Sequence, residues 1–186
     1  MKVAITGITL LGTFLAILAD LLLVQRNLGL AFLFVIVAMA LDMIDGPLAR
    51  RAGVTSKLGA WLDTFADMFI YLLFPAVYWS VRYDLPLPLL ALFVLAGSFR
   101  LIRFSLIGFG EDKNKLFYAG MPVFYNQFLL ILTHAIYLDK LLLGALLVAA
   151  SVLMVSTVPF EKIPVRMLAI GLVAYIAIVV STLNVL

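Results

Sequence analysis

Four aspartates stand in an otherwise apolar stretch of the chain, at positions Asp42, Asp45, Asp63 and Asp67. An ionised carboxylate at membrane depth costs about 3 kcal/mol unless another group compensates its charge, so such residues are usually functional. Mg²⁺ and Mn²⁺ prefer carboxylate oxygens, and four carboxylates can hold two ions about 3.5–4 Å apart against a reacting phosphate. The residue types therefore predict phosphoryl chemistry at a site with two metal ions.

The spacing of the aspartates indicates which elements position them. Residues three or four apart share a helix face, so Asp42 and Asp45 project together from the end of one helix, about 4.5 Å apart along its axis. Asp63 and Asp67 do the same at the start of the next helix. A short connection makes the two helices antiparallel neighbours, and we expect the two pairs to face each other at one level.

Residues beside the aspartates favour a ligand site over a knot of salt bridges. Gly46 and Gly59 leave space where a ligand can approach the helix backbone, and Arg50 lies close enough to take a phosphate. In the alternative interpretation, Arg50, Arg51 and Lys57 pair with the acids as a structural element. Three cations cannot neutralise four acids, which favours the ligand site.

The composition places this site in a membrane. The chain is 66% hydrophobic with a mean hydropathy of +1.21, and only 12% of its residues are charged, against about 25% in soluble domains. We expect an all-α polytopic membrane helix bundle, with residues 1–186 forming a single integral-membrane domain. Cysteine is absent, which excludes disulfides and thiol catalysis, and the basic residues form no nucleic-acid patch.

Seven apolar segments are long enough to cross a bilayer as helices. They cover residues 4–24, 29–49, 58–81, 87–108, 118–138, 140–159 and 165–185. The first resembles a retained helix rather than a signal peptide, and Pro75 inside the third predicts a kink.

The basic residues predict the orientation of the bundle. With a cytoplasmic N-terminus, ten of the thirteen Lys and Arg residues lie on the inner side, and Arg26, Arg82 and Lys140 lie outside. The ten are Lys2, Arg50, Arg51, Lys57, Arg100, Arg103, Lys113, Lys115, Lys162 and Arg166. The positive-inside rule selects this orientation. We expect a multi-pass protein of the cell membrane whose aspartates open to the cytoplasm.

The stretch from residue 42 to residue 67 resembles a known family signature. The pattern Asp42-x2-Asp45-Gly46-x2-Ala49-Arg50-x8-Gly59-x3-Asp63-x3-Asp67 matches that of the CDP-alcohol phosphatidyltransferases at every fixed position. The resemblance implies a six-helix membrane core, here with a seventh C-terminal helix, and commonly a homodimer. It also implies transfer of a phosphatidyl-type group from a CDP-linked lipid to a small alcohol, or of a phospho-alcohol from a CDP-alcohol to a lipid, with release of CMP.

The resemblance also implies a role for each residue of the signature. It makes all four aspartates ligands of a pair of Mg²⁺ or Mn²⁺ ions. Asp67 is in addition the general base that takes the proton of the acceptor hydroxyl. The nucleotide contacts that it implies are Gly46, Ala49, Arg50 and Gly59.

Three later stretches bear on the acceptor alcohol. Residues 98–104, 120–122 and 153–157 are similar to the short prokaryotic and archaeal phosphatidylserine synthases, which couple L-serine to CDP-diacylglycerol or CDP-archaeol. The chain departs from them at residues 123–126, where Val-Phe-Tyr-Asn replaces small and hydroxyl residues. L-Serine is the acceptor that this likeness implies, with inositol phosphate, glycerol phosphate and choline as alternatives.

A few polar residues outside the signature are further candidates. Arg100 and Arg103 share a helix face and could bind the acceptor's carboxylate or phosphate, or serve as interfacial anchors. The run Tyr125-Asn126-Gln127 lines the acceptor pocket or bonds to neighbouring helices. For His134 we predict a buried bond between helices rather than a catalytic role.

Two other classes of protein are compatible with the composition. A divalent-cation transporter would use the acids as its ion site, but it does not require Gly46, Ala49, Arg50 and Gly59 at these offsets. A structural or assembly protein of the membrane would require none of the acids. The transferase interpretation uses all eight residues.

Overall fold

The computed structural model describes residues 2–112, 115–161 and 165–183, and within them the chain is almost entirely helical. The first half consists of α1 (Lys2–Val24), α2 (Leu28–Arg51), α3 (Lys57–Met68), a π turn (Phe69–Leu73), α4 (Phe74–Tyr83) and α5 (Leu87–Ile107). The second half consists of β1 (Gly110–Asp112), β2 (Lys115–Ala119), a 3₁₀ turn (Val123–Tyr125), α6 (Asn126–Ala135), α7 (Lys140–Val155), β3 (Pro159–Glu161) and α8 (Val165–Leu183).

In this described part, four helices are long and apolar enough to cross a membrane. They cover Val3–Val24, Leu28–Arg51, Lys57–Tyr83 and Leu87–Ile107, the third being α3, the π turn and α4 run together. Two shorter apolar helices, Lys140–Val155 and Gly171–Ser181, accompany them. The all-α membrane bundle expected from the composition is confirmed.

The fifth predicted segment, residues 118–138, differs from the expected full-length helix. It begins in β2, passes through the 3₁₀ turn and is α-helical only over Asn126–Ala135. Gly120 has a φ of +80°, a left-handed conformation that a helix does not use, and Pro122 has no N–H to donate. The helix therefore begins only after these two residues, and apolar composition alone did not reveal this.

A small antiparallel sheet of order β1-β2-β3 lies between α5 and α8 in the chain. Tyr118 pairs with Phe160 across β2 and β3. The sequence had indicated only loops at β1 and β3, because strands of three residues carry no detectable alternation. Lys113 and Lys162, which were assigned to the cytoplasmic side, lie outside the described residues.

Short caps bring the two aspartate-bearing helices together. After α2 ends, Gly53 turns the chain with a φ of +64°. Ser56 then caps α3, its hydroxyl accepting a hydrogen bond from the Gly59 N–H at 3.1 Å, as N-cap serines do. The connection is only five residues long, from Ala52 to Ser56, so the end of α2 lies beside the start of α3.

Pro75 interrupts the third spanning helix in a specific way. Proline has no N–H and disturbs the carbonyl one turn before it, and here the helix widens into the π turn just before Pro75. The carbonyls of Ile70 and Tyr71 are bonded instead from α6. Gln127 Nε2 donates to Ile70 O at 2.7 Å and Asn126 Nδ2 to Tyr71 O at 3.3 Å.

Aromatic packing closes the bundle away from the aspartates. Phe32 on α2 makes edge contacts with Phe74, Tyr78 and Tyr175. The Tyr78 hydroxyl lies 3.1 Å from His134 Nδ1, which confirms the buried inter-helix hydrogen bond predicted for this histidine.

Candidate active site

Three of the four aspartates form a compact group. Asp42, Asp45 and Asp63 each offer one carboxylate oxygen, and these oxygens lie within 4.8 Å of one another. We call this group the carboxylate triad. Asp42 and Asp45 come from the last turns of α2 and Asp63 from α3, so the predicted meeting of the two helices occurs.

The triad has the chemistry of a divalent-cation site. Asp45 is only 3% exposed, and its Oδ1 atom is buried without a hydrogen-bond partner. A buried carboxylate oxygen without a partner is costly, whereas Mg²⁺ and Mn²⁺ take such oxygens as ligands. The donor set therefore fits the ion that the sequence implies.

Two hydroxyl groups from outside the signature hold the aspartates of α2. Thr9 Oγ1 on α1 donates a hydrogen bond to Asp45 Oδ2 at 2.6 Å. The Tyr71 hydroxyl, in the π turn, donates to Asp42 Oδ2 at 2.9 Å. Sequence reasoning missed both residues. For Tyr71 a signal existed, since it continues the four-residue spacing of Asp63 and Asp67.

Asp67 lies outside the triad but in the same cavity. A cavity of about 410 Å³ is lined by Asp42, Asp63 and Asp67 together with Tyr71 and Arg100. We call it the main cavity. Its remaining walls are mostly apolar and aromatic, and they include residues of α6 and α8. Asp67 therefore faces the same open space as Asp42 and Asp63 of the triad.

The four predicted nucleotide contacts line one smaller cavity. Gly46, Ala49, Arg50 and Gly59 all border a space of about 170 Å³. A Cβ on Gly46 would lie 3.4 Å from Arg50 Nη1, so glycine lets the guanidinium lie close to the α2 backbone. Gly46 and Arg50 also line the main cavity, as does Asp63. The two cavities therefore adjoin at these residues.

Arg100 is a buried cation on the wall of the main cavity. It is 4% exposed, and its Nε and Nη2 atoms are buried without a hydrogen-bond partner. Its guanidinium lies over the rings of Phe104 and Tyr118, at 5.0 and 5.2 Å from their centroids. Burial raises the pKa of Tyr118, so its neutral ring stabilises the cation through its face.

Arg103, three residues later, is used differently. Its guanidinium donates to the carbonyl oxygens of Met154, Val155 and Ser156 at the end of α7, and to that of Ala119 in β2. These bonds satisfy carbonyls that a helix end leaves open. The two arginines share a face of α5 because they are three residues apart, but Arg103 bonds α5 to α7.

Tyr125 and Asn126 lie away from the main cavity lining. The Tyr125 ring stacks on Phe124 and contacts Phe160, and Asn126 bonds to the π turn. Gln127 both bonds to the π turn and lines the cavity. Acceptor binding by Arg103, Tyr125 or Asn126 stays a prediction to which these contacts add no support.

Comparison with known proteins shows a family for this chain. The profile of the CDP-alcohol phosphatidyltransferase family matches residues 3–138. The chain is 32% identical to the CDP-diacylglycerol–serine O-phosphatidyltransferase of Bacillus subtilis over 143 residues, which are 74% of this chain and 78% of the relative. It is 28% identical to the enzyme of the same name from Methanocaldococcus jannaschii over 154 residues, 82% of this chain and 72% of the relative.

A relative with a different acceptor in its name is also similar. The phosphatidylcholine synthase of Bradyrhizobium diazoefficiens is 32% identical over 168 residues, which are 85% of this chain and 60% of that protein. The profile and the relatives together therefore establish the family, whereas the names of the relatives differ in the acceptor alcohol.

Proposed function

This chain belongs to the CDP-alcohol phosphatidyltransferase family, and we propose that it transfers a phosphatidyl-type group from a CDP-linked lipid to L-serine, releasing CMP. The observation that carries the choice of acceptor is Arg100, a buried cation with unpartnered donors on the wall of the main cavity. The names of the relatives from Bacillus subtilis and Methanocaldococcus jannaschii support the same acceptor.

Arg100 favours an acceptor that carries an anionic group. A guanidinium binds a carboxylate through two parallel hydrogen bonds, and a buried cation without a partner gains more from such a bond than an exposed one. Serine supplies a carboxylate next to its hydroxyl. The phosphates of inositol phosphate and glycerol phosphate would also satisfy Arg100, so these remain acceptors that the assay must include.

Choline fits this wall less well. Quaternary ammonium groups are usually bound by the faces of several aromatic rings, and the main cavity is rich in such rings. The faces of Phe104 and Tyr118 are already covered by the guanidinium of Arg100. The ammonium group of choline would therefore lie beside the guanidinium of Arg100 at these rings.

Asp67 is the proposed general base. It lines the main cavity outside the triad, where its carboxylate can accept the proton of the serine hydroxyl. The serine oxygen then bonds to the phosphorus that carries the lipid, and the bond from that phosphorus to the CMP oxygen breaks. The products are the phosphatidyl ester and CMP, with the serine proton on Asp67.

The triad would hold a divalent ion, Mg²⁺ or Mn²⁺, and with Asp67 a second one. Such ions neutralise the diphosphate and the leaving CMP when bound. Arg50 lies between the two cavities and is the residue proposed to hold the diphosphate, with Gly46, Ala49 and Gly59 beside the nucleotide.

The remaining parts of the proposal concern the lipid and the membrane. The apolar walls of the main cavity, contributed by α2, α6 and α8, offer room for the hydrocarbon part of CDP-diacylglycerol or CDP-archaeol. We propose a protein of the cell membrane, with its N-terminus and active site facing the cytoplasm, and a homodimer. The positive-inside rule supports this orientation.

An acceptor panel tests the proposal. Purified protein is incubated with CDP-diacylglycerol or CDP-archaeol, Mn²⁺ or Mg²⁺, and serine, choline, glycerol phosphate or inositol phosphate in separate reactions. The expected result is CMP release with serine and a lipid product that contains serine. A choline lipid formed without any serine lipid would overturn the choice of acceptor. If none of the four acceptors led to CMP release, the proposed function would be overturned.

A further inference from the structure

The signature aspartates of α2 are supported by hydroxyls that the signature does not contain. Tyr71 lines the main cavity and is 6% exposed, and Thr9 is 8% exposed. Each donates to the Oδ2 atom of one aspartate, at 2.9 Å for Asp42 and 2.6 Å for Asp45. Each aspartate therefore has one oxygen fixed by a neighbour on another helical segment.

The fixed position of Tyr71 depends on the π turn. Pro75 has no N–H to donate to the Tyr71 carbonyl, and in the π turn the Phe74 N–H donates to Phe69 O rather than to Ile70 O. The amides of Gln127 and Asn126 bond to the carbonyls of Ile70 and Tyr71 from α6. The main chain that carries the Tyr71 ring is thus held on both sides. These bonds hold the Tyr71 phenol in place beside Asp42.

Thr9 is held in an equally defined way on α1. Its main-chain carbonyl accepts a hydrogen bond from Thr13 Oγ1 at 2.9 Å, and its own hydroxyl is directed at Asp45. Oδ1 of Asp45 is the buried oxygen without a partner. With Oδ2 bonded to Thr9, Oδ1 is the oxygen of Asp45 that is left for an ion.

We propose that Tyr71 and Thr9 are positioning residues that hold Asp42 and Asp45 in the orientation required for binding the divalent ion. This inference rests on the proposed function, because it concerns the same metal site. Groups that hydrogen-bond to metal ligands orient them, and their loss typically weakens metal affinity by about 10–100-fold. Neither residue transfers a proton or touches the reacting phosphorus in this role.

Mn²⁺ binding by the purified protein without nucleotide tests the proposal, with free Mn²⁺ measured by electron paramagnetic resonance. Tyr71→Phe and Thr9→Val remove only the hydroxyls and are expected to weaken Mn²⁺ binding about tenfold or more. Tyr78→Phe and Ser151→Ala are the matched controls, because their hydroxyls bond to α6 and to the α7 main chain. The controls are expected to bind Mn²⁺ like the wild type.

The metal dependence of CMP release provides the second measurement. A positioning role predicts that Tyr71→Phe needs more Mn²⁺ for half-maximal activity but recovers most of its kcat when Mn²⁺ is saturating. Unchanged Mn²⁺ affinity in both variants would overturn the proposal, as would a loss of kcat that Mn²⁺ does not restore. A wild-type protein that binds no Mn²⁺ and releases no CMP would instead contradict the proposed function, so the two failures are distinguishable.

Discussion

At the scale of single residues, the four aspartates do not lie in equivalent positions. Asp42, Asp45 and Asp63 bring oxygens within 4.8 Å of one another, whereas Asp67 faces the main cavity that it shares with Arg100. Asp63 and Asp67 are only four residues apart on α3, yet Asp63 belongs to the triad and Asp67 does not. Substitutions at Asp67 and within the triad are expected to have different consequences.

Asp67→Asn is expected to lower CMP release by about 10²–10⁴-fold, since the amide cannot accept the hydroxyl proton. Because the triad is intact in this variant, binding of one Mn²⁺ ion is expected to persist. CMP release and Mn²⁺ binding measured on the same preparation check both points. Asp20→Asn is the matched control, because Asp20 lies near the C-terminal end of α1, whereas Thr9, which bonds to Asp45, lies nearer its start. Normal turnover of Asp67→Asn would remove Asp67 as the base.

Arg100→Gln is expected to raise the KM for serine by about tenfold or more, because a charged hydrogen bond to the carboxylate contributes about 1.5–3 kcal/mol. The KM for the CDP-lipid is expected to change much less. Steady-state kinetics with each substrate varied in turn make the comparison. An equal rise in both KM values would indicate a general distortion of the site instead of acceptor binding.

The sequence predicted the charged residues of this site better than its hydroxyls. An aspartate in an apolar segment is energetically costly, so Asp42 and its partners were recognisable from sequence alone. Thr9 and Tyr71 carry no such cost, since both residue types are common within spanning helices. Arg100 and Arg103 looked equivalent, and only the position of α7 shows that Arg103 bonds to its carbonyls.

At the scale of elements, α8 contributes a wall of the main cavity although the family profile ends at residue 138. Gly171 and Leu172 line the cavity from this helix. Apart from the backbone of α8 itself, no described atom lies within 4 Å of the position that a Cβ on Gly171 would take. The glycine therefore leaves open space on the side where the hydrocarbon part of the lipid is proposed to lie.

Gly171→Phe is expected to fill this space without disturbing the fold. The KM for a CDP-diacylglycerol with long acyl chains is expected to rise several-fold, while that for a short-chain analogue changes little. Gly29→Phe is the matched control, because Gly29 on α2 also has open space around it and lies outside the cavity lining. If chain length makes no difference, the lipid does not occupy this part of the cavity.

The helices themselves were predicted well where they are long and uninterrupted. The segments for α1, α2 and α5 agree with the structure to within about two or three residues, because a run of about 20 apolar residues has few alternatives in a bilayer. The segment 118–138 was wrong as a single helix. Gly120 and Pro122 are local breakers whose effect outweighed the apolar composition around them.

At the scale of the whole molecule, the charged ends of several helices meet on one side. The C-terminal parts of α2 and α5, with Asp63 and Asp67 of α3, line the main cavity. Arg50 and Arg100 belong to these parts and Lys57 begins α3, whereas Lys140 begins α7 at the opposite end of the predicted topology. The orientation in the membrane can therefore be tested with two positions.

The absence of cysteine from the chain allows single labels to report this orientation. In whole cells, a membrane-impermeant maleimide is expected to label Lys140→Cys, and to label Lys57→Cys only after permeabilisation. Both side chains are exposed in the structure, so labelling reports the side of the membrane. Labelling of Lys57→Cys alone in intact cells would reverse the topology and place the active site outside.

The π turn also sets the rotational phase of the third spanning helix. A π turn is equivalent to one residue inserted into an α-helix, which rotates everything after it by about 100°. Before the insertion the helix presents Asp63 and Asp67 to the cavity, and after it Trp79 Nε1 donates to Thr133 Oγ1 at 2.9 Å. Deleting one residue from Phe69–Leu73 would therefore remove this rotation. Asp63 and Asp67 could then not face the cavity while Trp79 bonds to Thr133. A single extra residue therefore sets the angle between the aspartates of α3 and the packing contacts of α4.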